Sequence, residues 1–146
     1  MSKIPEGILQ WPSARLMGAR FVEMDEDTQS VTLGFTPPAS FANMRGQVQG
    51  GLLAGFLDEA LGAAVFVGSG GKLQLSLDIN LSLLRPVRLA PLTVKARPVR
   101  AGRRIVFAEA ELFDEDGQLC ARATATSMAT EWPVQGGDGE PTGTDA

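Results

Sequence analysis

Alternation between apolar and polar residues predicts a β-hairpin near the start of the chain. Residues 18–25 and 30–35 read as strands that flank an acidic turn. The second strand ends at Pro37 and Pro38, because proline cannot donate a hydrogen bond to a sheet ladder. Before the hairpin, roughly residues 5–17 favour a short helix whose inward side chains are Ile8, Leu9 and Leu16.

One long helix is predicted over residues 49–67, and Gly68 with the residues after it ends this helix. The segment is almost free of charge, so the helix is predicted to be buried on most sides. Its apolar positions at helical spacing are Leu52, Leu53, Phe56, Leu57, Ala60, Leu61, Ala64 and Val65.

Four further strands are predicted over residues 72–84, 92–100, 104–113 and 118–130. The first shows the most regular alternation in the chain, which predicts one apolar and one polar face. The expected apolar face carries Leu73, Leu75, Leu77, Ile79, Leu81 and Leu83, and the expected polar face Gln74, Ser76, Asp78, Asn80 and Ser82.

The order of these elements, two strands, one helix and four strands with hairpin-length links, predicts an antiparallel sheet. Such a sheet, strongly curved and wrapped around a single apolar helix, is an α+β fold. We expect one domain over residues 1–130. Residues 131–146 hold four acidic residues and no basic one, and are predicted to be a disordered tail. This tail carries the whole net charge of −4.

The amino-acid composition excludes several kinds of catalytic and metal site. The chain has no histidine, which excludes Ser-His and Cys-His nucleophile pairs, a histidine base and histidine-ligated metal, and no metal site is expected. Cys120 is the single cysteine and has no internal disulfide partner. The acidic balance disfavours nucleic acid as a partner. No signal-peptide pattern is visible and no apolar run approaches 18 residues, so we expect a cytoplasmic protein without a membrane partner.

The start of the long helix is a candidate site for a carbonyl oxygen. Gly50 and Gly51 lie where the first N–H groups of the helix have no internal acceptor, and glycine lets a ligand approach the backbone closely. A carbonyl oxygen that gains negative charge would be stabilised there. The alternative is a glycine-rich helix entrance without a ligand.

Asp58 is the candidate base or nucleophile. It shares a helix stripe with small residues, which indicates a close interface, and a partly buried carboxylate suits either role. The alternative is that Asp58 and Glu59 form a solvated patch. Gly50 and Asp58 lie eight residues apart, about 12 Å along a helix. If both serve one reaction, they must therefore come from different subunits.

Each of three other features has both a functional and a structural interpretation. Ser76 could orient Asp58 or a water, or be an ordinary strand hydroxyl, and Asn43 could be a turn residue. From residue 81 to 108 there are seven basic residues and no acidic one, which indicates either a phosphate site or charged strand edges. Arg103 and Arg104, at a turn beside Gly102, are the strongest candidates for phosphate contacts.

Over about residues 41–129 the sequence resembles hot-dog-fold acyl-CoA thioesterases of the phenylacetate-pathway (PaaI-like) type. Residues 43–62 match the helix motif of this family, residues 76–86 its central strand, and residues 102–104 with 116–121 its last hairpins. The family usually has histidine where this chain has Gln49. Glutamine donates and accepts hydrogen bonds but cannot supply a proton near neutral pH.

The resemblance implies a thioester hydrolase that needs no cofactor beyond the CoA of its substrate, built from homodimers that often pair into tetramers. It implies that the Gly50 N–H polarises the carbonyl and that Asp58 of the partner chain is the nucleophile or base. Asn43 would bind the carbonyl or the water, and Ser76 would position the attacking group. The expected substrate-binding residues are Gln49, Gly51, Arg103 and Arg104. The alternative function is a hot-dog protein that binds an acyl-CoA or apolar ligand without catalysis.

Overall fold

The computed structural model describes residues 9–131. A short helix, α1 (Pro12–Leu16), precedes the hairpin of β1 (Arg20–Asp25) and β2 (Ser30–Phe35). A 3-10 turn (Ala39–Phe41) leads to the long helix α2 (Gly50–Gly68). The remaining elements are β3 (Leu73–Leu83), β4 (Leu92–Ala101), β5 (Ile105–Phe113) and β6 (Leu119–Thr130). The predicted element order is therefore confirmed.

The six strands form one antiparallel sheet in the order β1-β2-β4-β5-β6-β3. Strand β3, which follows α2 in the chain, is thus an edge strand of the sheet, next to β6. The predicted α+β fold, a curved antiparallel sheet around one apolar helix, is confirmed.

Helix α2 packs on the inner face of the sheet and forms the centre of the core. Ten of its nineteen residues are buried, and its contacts run from β2 across to β3. Phe56 stacks at a tilt against Phe35 of β2 and against Phe41, with ring centroids 5.1 and 5.9 Å apart. Burial of this apolar surface explains why a helix with so little charge forms in this chain.

By length and composition, α2 is the only helix within residues 9–131 apolar enough to cross a membrane, with a mean hydropathy of 1.5 over an 18-residue window. More than half of that window is buried against the sheet, as expected for the core helix of a globular domain. The charges of Asp58 and Glu59 interrupt it.

A β-bulge at Leu77 changes the prediction made for β3. Ser76 pairs with Ser127 of β6 but Asp78 pairs with Thr126, so Leu77 is an extra residue in this strand. An extra residue reverses which side chains face the helix, because the side-chain period of a strand is two. The predicted single apolar face is therefore wrong. The residues on the helix side are Gln74, Ser76, Ile79, Leu81 and Leu83.

Two expectations for the chain ends have different outcomes. In α1 the prediction for Leu16 is wrong, because this side chain is largely exposed, whereas Ala14 and Met17 are buried. Leu9 packs against the core as predicted. The predicted disordered tail lies, except for Glu131, outside the described residues.

Candidate active site

A groove of about 500 Å³ lies beside the N-terminal end of α2. It contains two of the predicted site residues, Asn43 and Gly50. Its apolar lining includes Leu53 of the helix and Leu83 at the end of β3. The groove therefore joins the loop before the helix, the helix start and the end of the bulged strand.

Asn43 holds the loop that forms one side of the groove. Its side-chain oxygen accepts hydrogen bonds from the backbone N–H groups of Arg45 (2.9 Å) and Gln47 (3.1 Å). Both donors are backbone groups, so the amide oxygen must face them and the NH₂ group must face away. Asn43 is thus a turn residue, as one interpretation had it, and it keeps an amide donor for a ligand.

Gln49 caps the helix. Its side-chain oxygen accepts a hydrogen bond from the backbone N–H of Leu52 at 2.9 Å, and the same N–H also donates to the Gln49 carbonyl oxygen at 2.9 Å. A Cβ on Gly51 would lie 2.9 Å from this oxygen, so glycine at 51 leaves room for the cap. The Gln49 NH₂ group, like that of Asn43, remains able to donate.

Asp58 lies on the half-buried face of α2, two turns beyond the groove. Its carboxylate oxygen Oδ1 accepts a hydrogen bond of 2.9 Å from the hydroxyl of Ser76. The bulge at Leu77 makes this contact possible, because it lets Ser76 share the helix side of the sheet with Ile79. Ser76 is thus placed to orient the carboxylate.

Glu59 is the neighbouring carboxyl, about 100° further round the helix. Burial raises its pKa above the usual value, and the negative charge of Asp58 raises it further. No ion pair to Glu59 is formed within residues 9–131. The two adjacent carboxyls therefore have different surroundings, since only Asp58 receives a hydroxyl hydrogen bond.

The predicted site residues occupy three separate places in one protomer. Asn43, Gln49, Gly50 and Gly51 surround the helix start, whereas Asp58 lies about 12 Å further along the same helix.

Arg103 and Arg104 lie in the turn between β4 and β5, near the other end of α2. There a Cβ on Gly68 would lie 2.8 Å from the Cβ of Pro98, which shows how closely the helix end and β4 approach. Within a single protomer the residues at the helix start, the Asp58–Ser76 pair and the two arginines therefore remain three separate groups.

Several residues near these places carried no recognisable signal in the sequence. Gln74 donates to the hydroxyl of buried Ser127 at 2.9 Å, and its oxygen covers the helix at Gly62. Alternation along β3 gave no sign of this, because the bulge was not visible in the pattern. Arg45 and Arg85 both line the groove. Arg85 belongs to the basic run, but nothing in the run distinguished it from Arg103.

Comparison with known proteins identifies the family. The thioesterase superfamily matches residues 46–121, a stretch that includes Gly50, Asp58 and Ser76 and begins three residues after Asn43. A phenylacetic acid degradation-related protein from Ralstonia eutropha has a similar structure, with a TM-score of 0.72 and 33% identity, covering 82% of this chain and 91% of that one.

Two more distant solved structures share the fold. A thioesterase from Haemophilus influenzae has a TM-score of 0.73 at 23% identity, covering 85% of this chain and 86% of its own. A Streptococcus mutans protein bound to acetyl-CoA has a TM-score of 0.69 at 20% identity, covering 77% and 89%. Together with the family match, these similarities confirm the hot-dog architecture. The chain is a hot-dog thioester hydrolase of PaaI-like type and belongs to the thioesterase superfamily.

Proposed function

We propose that this protein hydrolyses acyl-CoA thioesters at a site shared between two subunits. The observation that carries the proposal is the spacing along α2. Amide donors surround the start of the helix, and a carboxylate held by a hydroxyl lies about 12 Å away on the same helix. A carboxylate side chain cannot span this distance, so a complete site needs Asp58 from a second copy.

The free edge of β3 supports this assembly. Within the described chain β3 pairs only with β6, and its second edge has no strand partner. Leu75 and Leu77 on the outer side of this strand and Leu83 on its helix side are each about half exposed. A long apolar edge of this kind is a template for strand pairing with a second copy. A two-fold axis there would create two equivalent sites, and pairing of two such dimers into a tetramer remains an expectation.

In the proposed reaction, the thioester carbonyl oxygen lies in the groove and accepts hydrogen bonds from the Gly50 N–H and the Asn43 amide. These donors stabilise the negative charge that develops as the carbonyl carbon is attacked. Asp58 of the partner protomer either attacks that carbon itself or removes a proton from an attacking water. The carbon–sulfur bond then breaks and the CoA thiolate takes up a proton. Attack by water releases the carboxylic acid directly, whereas attack by Asp58 leaves a mixed anhydride on this side chain, which a water molecule then hydrolyses to the acid and the free Asp58 carboxylate. Ser76 orients Asp58 throughout.

Two neighbouring carboxyls allow a matched test of the role of Asp58. We expect Asp58→Asn to abolish thiol release from a panel of aryl-, short- and long-chain acyl-CoA esters, whereas Glu59→Gln retains it. Both changes remove one negative charge from adjacent positions of α2, so a general charge effect would appear in both. Full activity in Asp58→Asn, with its folding verified by circular dichroism, would refute the proposed role.

Subunit sharing is tested by mixing two inactive variants. Asn43→Asp keeps an oxygen for the N–H groups of Arg45 and Gln47 but removes the amide donor, so the loop is retained and the carbonyl contact is lost. Random exchange of Asn43→Asp with Asp58→Asn protomers makes half of the dimers mixed, each with one intact site. About a quarter of wild-type activity should then return. No recovery despite proven exchange, for instance by native mass spectrometry, would exclude a shared site.

A second candidate function is binding of an acyl-CoA without turnover. Gln49 favours it, because glutamine stands where the resembling enzymes have histidine and cannot supply a proton. Calorimetry combined with a thiol assay separates the two functions. Tight acyl-CoA binding without release of thiol over hours would support the binding protein and contradict the enzyme.

A further inference from the structure

We propose that Arg45 and Arg85 bind the phosphates of the CoA portion of the thioester, at the rim of the groove that holds the carbonyl donors. This inference rests on the proposed function, because it assigns the nucleotide part of the same substrate. It also differs from the sequence-based expectation, which gave the phosphate contacts to Arg103 and Arg104.

The first observation is that the two arginines are not neutralised. In the described part of the chain, Arg88 forms ion pairs with Glu115 and Asp116, and the guanidinium groups of Arg97 and Arg122 also face carboxylates. Arg45 and Arg85 form no ion pair within residues 9–131. Their positive charges are therefore available for an anionic ligand.

The second observation is that Arg85 is oriented without losing its charge. Its Nη1 donates a hydrogen bond of 3.2 Å to the side-chain oxygen of Gln118. An amide oxygen restrains the guanidinium but carries no formal charge, so the remaining N–H donors still favour phosphate. Arg45 follows Asn43 in the loop whose shape the Asn43 side chain maintains, which fixes the backbone from which this arginine extends.

The third observation is that the two arginines and the helix start line one apolar groove. Leu53, Leu83, Leu84 and Val87 give it an apolar lining, and both arginines contribute to the same lining as Gly50. A thioester with its carbonyl at Gly50 has an apolar and amide arm that leads to phosphates. A groove that combines apolar walls, the Gly50 backbone and two cationic side chains matches this set of chemical groups.

Arg103 and Arg104 cannot serve the same groove in the same protomer. They occupy the β4–β5 turn, beyond the C-terminal end of a helix that is nineteen residues long, about 27 Å from first to last residue. Only a partner subunit could bring them near the groove of this chain. Variants of these residues therefore form a comparison arm in the test.

The binding experiment uses adenosine 3′,5′-bisphosphate and coenzyme A as probes in calorimetric titrations. Arg45→Gln and Arg85→Gln should each weaken both affinities about tenfold, and the loss should shrink at high salt because the contacts are ionic. Arg88→Gln is the matched control, since it removes a positive charge only three residues from Arg85 but one already paired with carboxylates. This control should bind both probes as the wild type does.

The kinetic experiment compares a CoA ester with the pantetheine ester of the same acyl group. Both arginine variants should raise KM for the CoA ester and leave the pantetheine ester unaffected, because the latter has no nucleotide phosphates. Equal effects on both esters, unchanged probe affinity, or loss of affinity only in Arg103→Gln and Arg104→Gln would each overturn the assignment. The probes report binding even if no ester is hydrolysed, so failure of the proposed function is distinguishable from failure of this inference.

Discussion

The hydrogen bond between Ser76 and Asp58 gives the most direct test of how this site works. Ser76→Ala removes the hydroxyl that donates to Asp58 Oδ1 at 2.9 Å. The side chain loses only this one oxygen atom. A hydrogen bond to a charged group contributes about 1.5–3 kcal/mol, and this one is solvent-accessible, so the lower end applies. If that energy orients the attacking group, kcat should fall about tenfold.

The assay is steady-state thiol release for Ser76→Ala, with Ser76→Thr and Ser82→Ala beside it. Threonine retains a hydroxyl and suits a strand, so Ser76→Thr should recover most of the rate. Ser82 lies on the outer side of β3, opposite Arg122, and its loss should change neither kcat nor KM. We expect kcat to fall in Ser76→Ala with KM nearly constant. An unchanged kcat, or equal impairment in Ser76→Thr, would refute the reasoning.

Three further predictions concern the surroundings of the site. Gln49→Ala should lower stability by about 1 kcal/mol through loss of the helix cap, seen as a lower Tm, whereas Gln49→Glu keeps an acceptor and the stability. The pKa of Glu59 is raised in the folded state, so the stability of the protein falls as the pH rises from about 4.5, the usual pKa of a glutamate, through the pKa of Glu59 in the folded protein. Glu59→Gln should therefore raise Tm at pH 7, and parallel melts below pH 4.5 should show no gain. Alanine is more favourable than glycine inside a helix by about 1 kcal/mol. Of Gly55→Ala and Gly62→Ala, only Gly55→Ala should raise the stability measured by chemical denaturation, because at Gly62 the new Cβ would lie 2.9 Å from the Gln74 side-chain oxygen.

The elements of this fold were predictable because each has a strong local signal. Helix α2 is apolar over its whole length and ends at a glycine-rich segment, and the strands are separated by turns with their own signatures. Hydrophobic periodicity shows which side of each element can be buried, and in this fold the apolar helix is buried against one curved sheet. The 12 Å between Gly50 and Asp58 also followed from the sequence, because helix rise is nearly constant.

The faces of β3 were decided only by tertiary structure. Alternation assigned Ser76 and Ile79 to opposite sides, but the extra residue at Leu77 brings both to the helix side. A bulge arises from pairing with β6 and from sheet twist, which involve residues about fifty positions away, so the local pattern contains no trace of it. The contact of Ser76 with Asp58 exists for this reason alone.

For the arginines, too, the sequence determined one part of the result and the tertiary structure the other. The sequence by itself determined that residues 81–108 carry seven basic residues, that no histidine is present, and that a helix with one acidic pair runs through the domain. Which arginines are neutralised was decided by the fold, since the partners of Arg88 come from a hairpin almost thirty residues later. Periodicity records what each residue prefers locally, whereas ion pairs, bulges and grooves depend on which distant segments the sheet brings side by side.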